Sequence, residues 1–270
     1  MSRVWRLLLD GAGSGPWNMG VDEALLAAAA RGGPPTLRFY AWRGSWLSLG
    51  YAQTLSTARG AACARAGVGI VRRVTGGRAV LHGGDLTYAV AAPAGLLPRG
   101  LQASYGLVSD ALCEALRSLG VAAVRASAVS SPSWGAPRFD CFAEAAAEEI
   151  CVAGRKLVGS AQRRSGGAVL QHGSIRVRPD PCVAARAAGQ VSGAATSLRE
   201  LGVSTSDAAL REVCAACLGA ALGASFESGH LAEGERRQAR EAARQRDPGF
   251  SPHGAESPRE SQGDLSATDR

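Results

Sequence analysis

Cys141 and Lys156 are the two residues whose types and spacing best suit nucleophilic chemistry. Lys156 is the only lysine among the 30 basic residues. Cys141 precedes three predicted strands and Lys156 begins the middle one, so the two side chains are able to approach each other. An ammonium close to a thiol favours the thiolate and lowers the cysteine pKa from about 8.5 towards neutrality. A thiolate exchanges with an acyl thioester and keeps the reactive bond for later attack by an amine.

The other six cysteines are weaker candidates for a nucleophile. Cys182 follows Pro179-Asp180-Pro181 and is the one rival to Cys141. Cys214 and Cys217 have the spacing of metal ligands, but no second pair accompanies them, so we expect an apolar helix face and no metal. The remaining three fall in helix or strand patterns that predict buried packing; they are Cys63, Cys113 and Cys151.

A basic segment rich in glycine, residues 72–88, is a second candidate site. Its glycines allow backbone N–H groups to approach a ligand, and its arginines supply positive charge. The Gly-x4-Gly-Lys-[ST] pattern of a P-loop is missing, so nucleotide binding of that type is not predicted. Glycine-rich turns with solvated arginines are an equally good interpretation of the spacing. The substrate-binding candidates here are Arg72, Arg73, Gly76, Gly77 and His82.

A third cluster of candidates occupies the two strands predicted at 155–164 and 168–178. His172 lies beside a glycine, as His82 does, and a histidine in that position can hydrogen-bond an acyl or amine group. Either histidine is equally interpretable as a core residue. The substrate-binding candidates in this cluster are Gly159, Ser160, Ala161, Gln162, His172 and Gly173.

The hydrophobic periodicity predicts both helices and strands. Asn18 is the expected cap of the first helix, and strands 36–41 and 46–49 are expected to form a hairpin around Arg43-Gly44. Strands 148–152, 155–164 and 168–178 are expected to form a meander joined by tight turns. The other strands are predicted at 3–9, 69–73, 78–82 and 85–92. The helices are predicted at 19–30, 56–66, 102–119, 182–189, 207–222 and 233–246.

Composition bounds the class of protein. The 270 residues are 46% hydrophobic, enough for one catalytic domain at 1–246, and the polar tail 247–270 is expected to be disordered. The net charge is +7, but the arginines are dispersed along the chain, so no nucleic-acid partner is predicted. No run of eighteen apolar residues occurs and the cysteines are few, so we expect a cytoplasmic protein with reduced thiols and no membrane partner.

Four ordered motifs resemble the biotin/lipoate protein ligase catalytic family: residues 72–88, Cys141-Phe142, residues 154–164 and residues 171–175. Residues 18–25 are similar to the first-helix motif of that family, and the resemblance extends over roughly residues 3–246. It implies an α/β (α+β) fold with a mixed, largely antiparallel central sheet flanked by helices. It also implies a binding tunnel for an acyl chain.

Within that family, Cys-Phe followed by Gly-Arg-Lys is similar to the octanoyltransferase branch. That resemblance implies octanoyl-acyl carrier protein as donor, Cys141 as the acyl-thioester intermediate and Lys156 as the group that lowers its pKa. The implied acceptor is a lysine of a lipoyl domain or of glycine-cleavage H protein. No cofactor is expected, and a monomer is expected. ATP-dependent lipoate ligases share the lysine motif but need no cysteine, and they remain the alternative. A third hypothesis is a non-catalytic carrier-binding module or a basic nucleic-acid binder, which the dispersed charge and the Cys/Lys pair disfavour.

Overall fold

The computed structural model describes residues 3–126, 149–190 and 193–246. Eleven strands are assigned within these ranges. They are β1 Arg3–Gly13, β2 Thr36–Trp42, β3 Trp46–Leu49, β4 Gly69–Arg72, β5 Val80–His82, β6 Asp85–Pro93, β7 Val124–Arg125, β8 Ile150–Val152, β9 Arg155–Ser165, β10 Ala168–Arg176 and β11 Ala224–Ser228. The helices assigned there are α1 Gly15–Ala30, α2 Thr57–Arg65, α3 Leu101–Ser118, α4 Cys182–Ala188, α5 Asp207–Leu222 and α6 Glu233–Arg246, with a short 3-10 turn at Ala94–Leu96.

Two sheets organise the described chain. The larger sheet has the strand order β11-β1-β2-β6-β10-β9-β8-β7, and the smaller one has the order β4-β3-β5. Strand β1 pairs in parallel with β2 and β11, whereas the pairs from β2 through β6, β10, β9 and β8 to β7 are antiparallel. The expected mixed, largely antiparallel sheet flanked by helices is therefore confirmed.

The apolar core is divided by the larger sheet. One buried cluster contains residues of α3 and α5 together with Trp5, Phe39 and Leu157, and a second contains residues of α1 together with Tyr40 and Leu170. Consecutive strand residues such as Phe39 and Tyr40 point to opposite faces, which is how one strand serves both clusters. No helix in the described ranges is long and apolar enough to span a membrane.

The predicted meander is confirmed. Strands β8, β9 and β10 are consecutive antiparallel neighbours, and two-residue turns join them. Ala153 and Gly154 have φ values of 48° and 74°, and Gly166 and Gly167 have values of 57° and 77°. Positive φ at both central residues is the signature of the type I′ turn that matches strand twist.

Two predictions near the N-terminus were wrong. Strands β2 and β3 do not pair as a hairpin, because both edges of β2 are occupied by β1 and β6, and β3 belongs to the smaller sheet. Asn18 is not the helix cap: Ser14 caps α1, with its side chain accepting a hydrogen bond from Trp17 N. Pro16, in the first turn, pre-sets the backbone for this earlier start.

Some predictions concern residues that the structure does not describe, and these stay predictions. Cys141, most of the loop expected at 126–137 and the tail 247–270 lie outside the described residues.

Strands β7 and β11 were not predicted. Both are edge strands of the larger sheet, and β7 has only two residues, so neither carries a clear periodic signal.

Candidate active site

Lys156 is buried at the start of β9, with a relative exposure of 1%. Its backbone is held on two sides: Cys151 of β8 lies opposite it, and a parallel bridge joins it to Ala195. The Nζ ammonium forms an ion pair with the carboxylate of Glu149, which is 5% exposed. The single lysine of the chain is thus placed deep in the protein, where its charge requires a partner.

A β-bulge orients the start of β9. Ile150 pairs with Val158, but the next residue, Cys151, pairs with Lys156, so β9 contains one additional residue, Leu157. Leu157 and Val158 consequently both join the core cluster beneath α3, although consecutive residues of a regular strand point to opposite faces. Bulges re-aim side chains beside functional sites. This one, with the tight turn before it, sets the position of Lys156.

Cys151 lies across from Lys156 but is not poised as a nucleophile. Burial raises the pKa of its thiol, the nearby charge of Glu149 raises it further, and Lys156 only partly opposes these effects. A raised pKa leaves the unreactive thiol at neutral pH. Burial likewise raises the pKa of Cys214, to about 12. These findings agree with the prediction that both residues are packing cysteines.

A narrow cavity lies between the two sheets, next to the strand that carries Lys156. Its cavity volume is about 30 Å³. The surface that the lining residues present to this space is mostly apolar. The lining residues are Met19, Tyr40, Trp42, Ser48, Arg73, Gly77, Val80, His82, Thr87, Gly159, Ser160, Ala161, His172, Gly173 and Ser174.

His82 closes one side of the cavity and belongs to a hydrogen-bonded chain. Its Nδ1 lies 2.7 Å from Asp85 Oδ2 and its Nε2 lies 2.8 Å from Ser48 Oγ. The ring stacks on Trp42 at a centroid distance of 3.9 Å. Burial favours a raised pKa for Asp85, but the charge and hydrogen bond of His82, with hydrogen bonds from Gly83 N and Ser174, outweigh it and lower the pKa to about 2.

His172 forms a second chain of the same design on the opposite side. Its Nδ1 lies 2.7 Å from Asp22 Oδ2 and its Nε2 lies 2.7 Å from Thr75 Oγ1. Burial opposes ionisation of Asp22, yet the hydrogen bond of His172 and the charge of Arg38 hold its pKa below the ordinary value. Arg38, which is fully buried, donates to Asp22 Oδ1 at 2.8 Å and lies over the ring of Tyr40.

Arg73 connects the hydrogen-bonded series of His82 with that of His172. Its guanidinium donates to Ser48 Oγ at 2.9 Å and to Thr75 Oγ1 at 3.4 Å. It also donates to the carbonyl oxygens of Ser48, Gly76 and Arg78 at 2.7, 2.9 and 2.9 Å. A planar guanidinium has several donors and can bind these oxygens at the same time, whereas the ammonium of a lysine would not replace it. Arg73 therefore fixes the glycine-rich turn against the smaller sheet.

The cavity gathers most of the substrate-binding candidates. Gly77, His82, Gly159, Ser160, Ala161, His172 and Gly173 line it, and so does Arg73. Three others lie elsewhere. Arg72 is exposed and donates to the carbonyl oxygens of Gly50, Tyr51 and Gln53, at 2.8, 3.1 and 2.7 Å. Gln162 hydrogen-bonds Gln171, and Gly76 accepts from Arg73 through its carbonyl, but neither is a lining residue.

Several residues that build the site carried no recognisable signal in the sequence. Asp22 lies 150 positions from His172 and Ser48 lies 34 positions from His82. Glu149 read only as the beginning of a strand. Asp22 falls within the first-helix motif, and that was the one available indication of its importance.

The chain belongs to the family of the lipoyl protein ligase A/B catalytic domain, whose model matches residues 14–217. Among its relatives, the octanoyltransferase LipM of Symbiobacterium thermophilum is 38% identical over 257 residues, covering 88% of this chain and 94% of the relative. The octanoyltransferase LipM of Kyrpidia tusciae is 39% identical over 261 residues, with the same coverage.

Solved structures share the fold. A lipoate-protein ligase A bound with ATP has a TM-score of 0.73 at 23% identity, covering 88% of this chain and 94% of its own. A bi-partite lipoate protein ligase from Thermoplasma acidophilum has a TM-score of 0.69 at 22% identity, covering 90% of this chain and 92% of its own. At these identities the comparison establishes the architecture, and the chemistry has to be argued from the site.

Proposed function

We propose that this protein is an octanoyltransferase of lipoate biosynthesis. Its curated relatives with that activity match at 38–45% identity, two of them across 88% of the chain. The observation that carries the proposal is the cavity next to the strand that carries Lys156, which is narrow and presents a mostly apolar surface. An acyl chain needs such a slot, since each buried CH₂ group contributes about 0.8 kcal/mol.

The polar side chains that line the cavity are already hydrogen-bonded within the protein, and this favours an apolar ligand. The nitrogens of His82 and His172 and the guanidinium of Arg73 hydrogen-bond protein groups. Polar groups satisfied in this way have less need of a ligand partner. We infer that the rings and glycine backbones form the walls of the acyl site, with Gly159 and Ala161 admitting the chain closely.

Lys156 does not line the cavity, but it lies on the same strand as the lining residue Gly159, three positions away. The narrow void requires the lining side chains to separate when the chain enters, and Met19, which is unbranched, is suited to such an adjustment.

We assign Cys141 as the nucleophile and Lys156 as its electrostatic partner. In the first step the Cys141 thiolate attacks the thioester carbonyl of octanoyl-acyl carrier protein; a new thioester forms, the bond to the carrier sulfur breaks, and the carrier leaves as a thiolate that takes a proton from solvent. In the second step the neutral amine of the acceptor lysine attacks, an amide forms and the Cys141 thiolate departs, while the amine proton is released. Backbone N–H groups of the Gly76-Gly77 turn are candidates for stabilising the oxyanion.

The acceptor in this proposal is a lysine of a lipoyl domain or of glycine-cleavage H protein. The test is to incubate the full chain with octanoyl-acyl carrier protein and an unmodified lipoyl domain, without ATP, and to follow the acceptor by intact mass. We expect one octanoyl group on the domain, and none on a control domain whose target lysine is replaced by methionine. Modification that requires free lipoate and ATP would instead assign a ligase.

A further inference from the structure

The ion pair between Glu149 and Lys156 is a buried charged contact whose acidic member has no part in the proposed reaction. Exposures are 5% for Glu149 and 1% for Lys156, and the carboxylate contacts Nζ directly. Burial of an ammonium favours the neutral amine, and an adjoining carboxylate favours the charged form. The carboxylate of Glu149 therefore opposes the effect of burial on the charge of Lys156.

We propose that Glu149 is a positioning residue that keeps Lys156 protonated and fixed at the start of β9. The carboxylate acts on Nζ from the residue just before β8. The backbone of Lys156 is meanwhile held by hydrogen bonds between Lys156 N and Ala194 O and between Thr196 N and Lys156 O, at 3.1 and 2.9 Å. The ammonium is therefore constrained through both its main chain and its charge.

The surrounding described groups do not take over this role. Cys151, opposite on β8, has a raised pKa and is a neutral thiol. The segment 194–196 supplies alanines and a threonine. Arg176, which donates to Thr196 O, is the next charge on β10, and it is paired with Asp180 at 2.5 Å. Because a nearby cation such as Arg176 disfavours the charged form of Lys156, the carboxylate of Glu149 is more important for keeping Lys156 protonated.

The single lysine gives a direct measurement. Protein grown with ¹³Cε-lysine and carrying no lysine in its tag yields one lysine resonance, that of Lys156. In the wild-type chain we expect this resonance to stay in its charged position up to at least the ordinary lysine midpoint of about 10.4. In Glu149→Gln we expect the midpoint to fall by at least about one pH unit. Glu149→Asp should restore most of the wild-type behaviour.

A matched control is Glu235→Gln, which removes a carboxylate of similar burial that pairs with Arg6 rather than with Lys156. That variant should leave the lysine resonance unchanged. A folded Glu149→Gln protein with the wild-type midpoint would overturn the proposal. If Glu149→Gln fails to fold, a wild-type midpoint below about pH 9 would still overturn the proposal, because Glu149 would then not hold the charge of Lys156.

The consequence for acyl transfer rests on the proposed function, but the resonance experiment does not. Octanoyl transfer by Glu149→Gln should decline with rising pH about one pH unit earlier than transfer by the wild type, because Lys156 loses its proton earlier. Arginine stays charged without help, so adding Glu149→Gln to Lys156→Arg should leave the pH profile of that variant unchanged. Absence of transfer by the wild type would reject the function alone, while an unshifted resonance would reject the role of Glu149 alone.

Discussion

Arg73 hydrogen-bonds both oxygens of Ser48, the carbonyl at 2.7 Å and the hydroxyl at 2.9 Å. This contact joins the glycine-rich turn to the smaller sheet and holds the hydroxyl that His82 contacts. The site is consequently one connected network, and its two histidine chains depend on a single guanidinium.

Replacement of Arg73 by lysine should loosen this network. A lysine retains the charge but cannot reach all five acceptors, so buried oxygens lose their donors. We expect a loss of at least about 2 kcal/mol in the free energy of unfolding, measured in urea. Arg43→Lys is the control, because Arg43 is exposed and its side chain donates to the carbonyl of Ala12. Equal effects of the two substitutions would contradict the role of Arg73.

Gly50 should prove as important as the glycines of the predicted motif. A Cβ atom on Gly50 would lie 1.9 Å from the carbonyl oxygen of Gly77, so any side chain must displace the turn beside the cavity. We expect Gly50→Ala to reduce octanoyl transfer by about tenfold or more, since small displacements of a site are costly. Gly234→Ala, at a helix position where a Cβ meets nothing within 4 Å, should transfer normally. Normal transfer by Gly50→Ala would refute the argument.

The lowered pKa of Asp85 predicts that the stability of the fold depends on pH. Its folded pKa of about 2 lies below the ordinary value of 3.8. A depressed pKa contributes stability above pH 3.8, and the contribution disappears as the pH falls through about 2; by linkage it is worth about 2 kcal/mol. The difference in unfolding free energy between wild type and Asp85→Asn should shrink by about that amount between pH 5 and pH 2.

The control for this experiment is Asp110→Asn. The Asp110 side chain is 62% exposed and its ion pair with Arg125 spans 3.3 Å, so its effect should be small at every pH. A difference between wild type and Asp85→Asn that is independent of pH would show that the buried carboxylate is not stabilised as described.

The sequence predicted the elements of the fold better than their pairing. The meander around Lys156 was predictable because strand alternation and the Ala153-Gly154 turn agree locally. The separation of β2 from β3 was not, because it depends on β1 and β6 occupying the edges of β2. Hydrophobic periodicity indicates which side chains are buried, but it does not specify which strands become neighbours.

The same limit applies to the site. His82 and His172 were recognisable beside their glycines, but Asp22 and Ser48 reach them only through tertiary contacts. Arg73 was expected to bind substrate, and its placement shows a guanidinium engaged with protein oxygens. A lone arginine in a sequence does not reveal whether its partners are a ligand or the chain itself. The assignment of Cys141 remains a prediction.

The account depends most on the formation of an acyl-enzyme at Cys141, and intact mass spectrometry measures this directly. After incubation with octanoyl-acyl carrier protein and no acceptor, the wild type and Cys182→Ser should each carry one octanoyl group that hydroxylamine removes, and Cys141→Ser should carry none. An undiminished, hydroxylamine-sensitive octanoyl adduct on Cys141→Ser would contradict the proposed nucleophile.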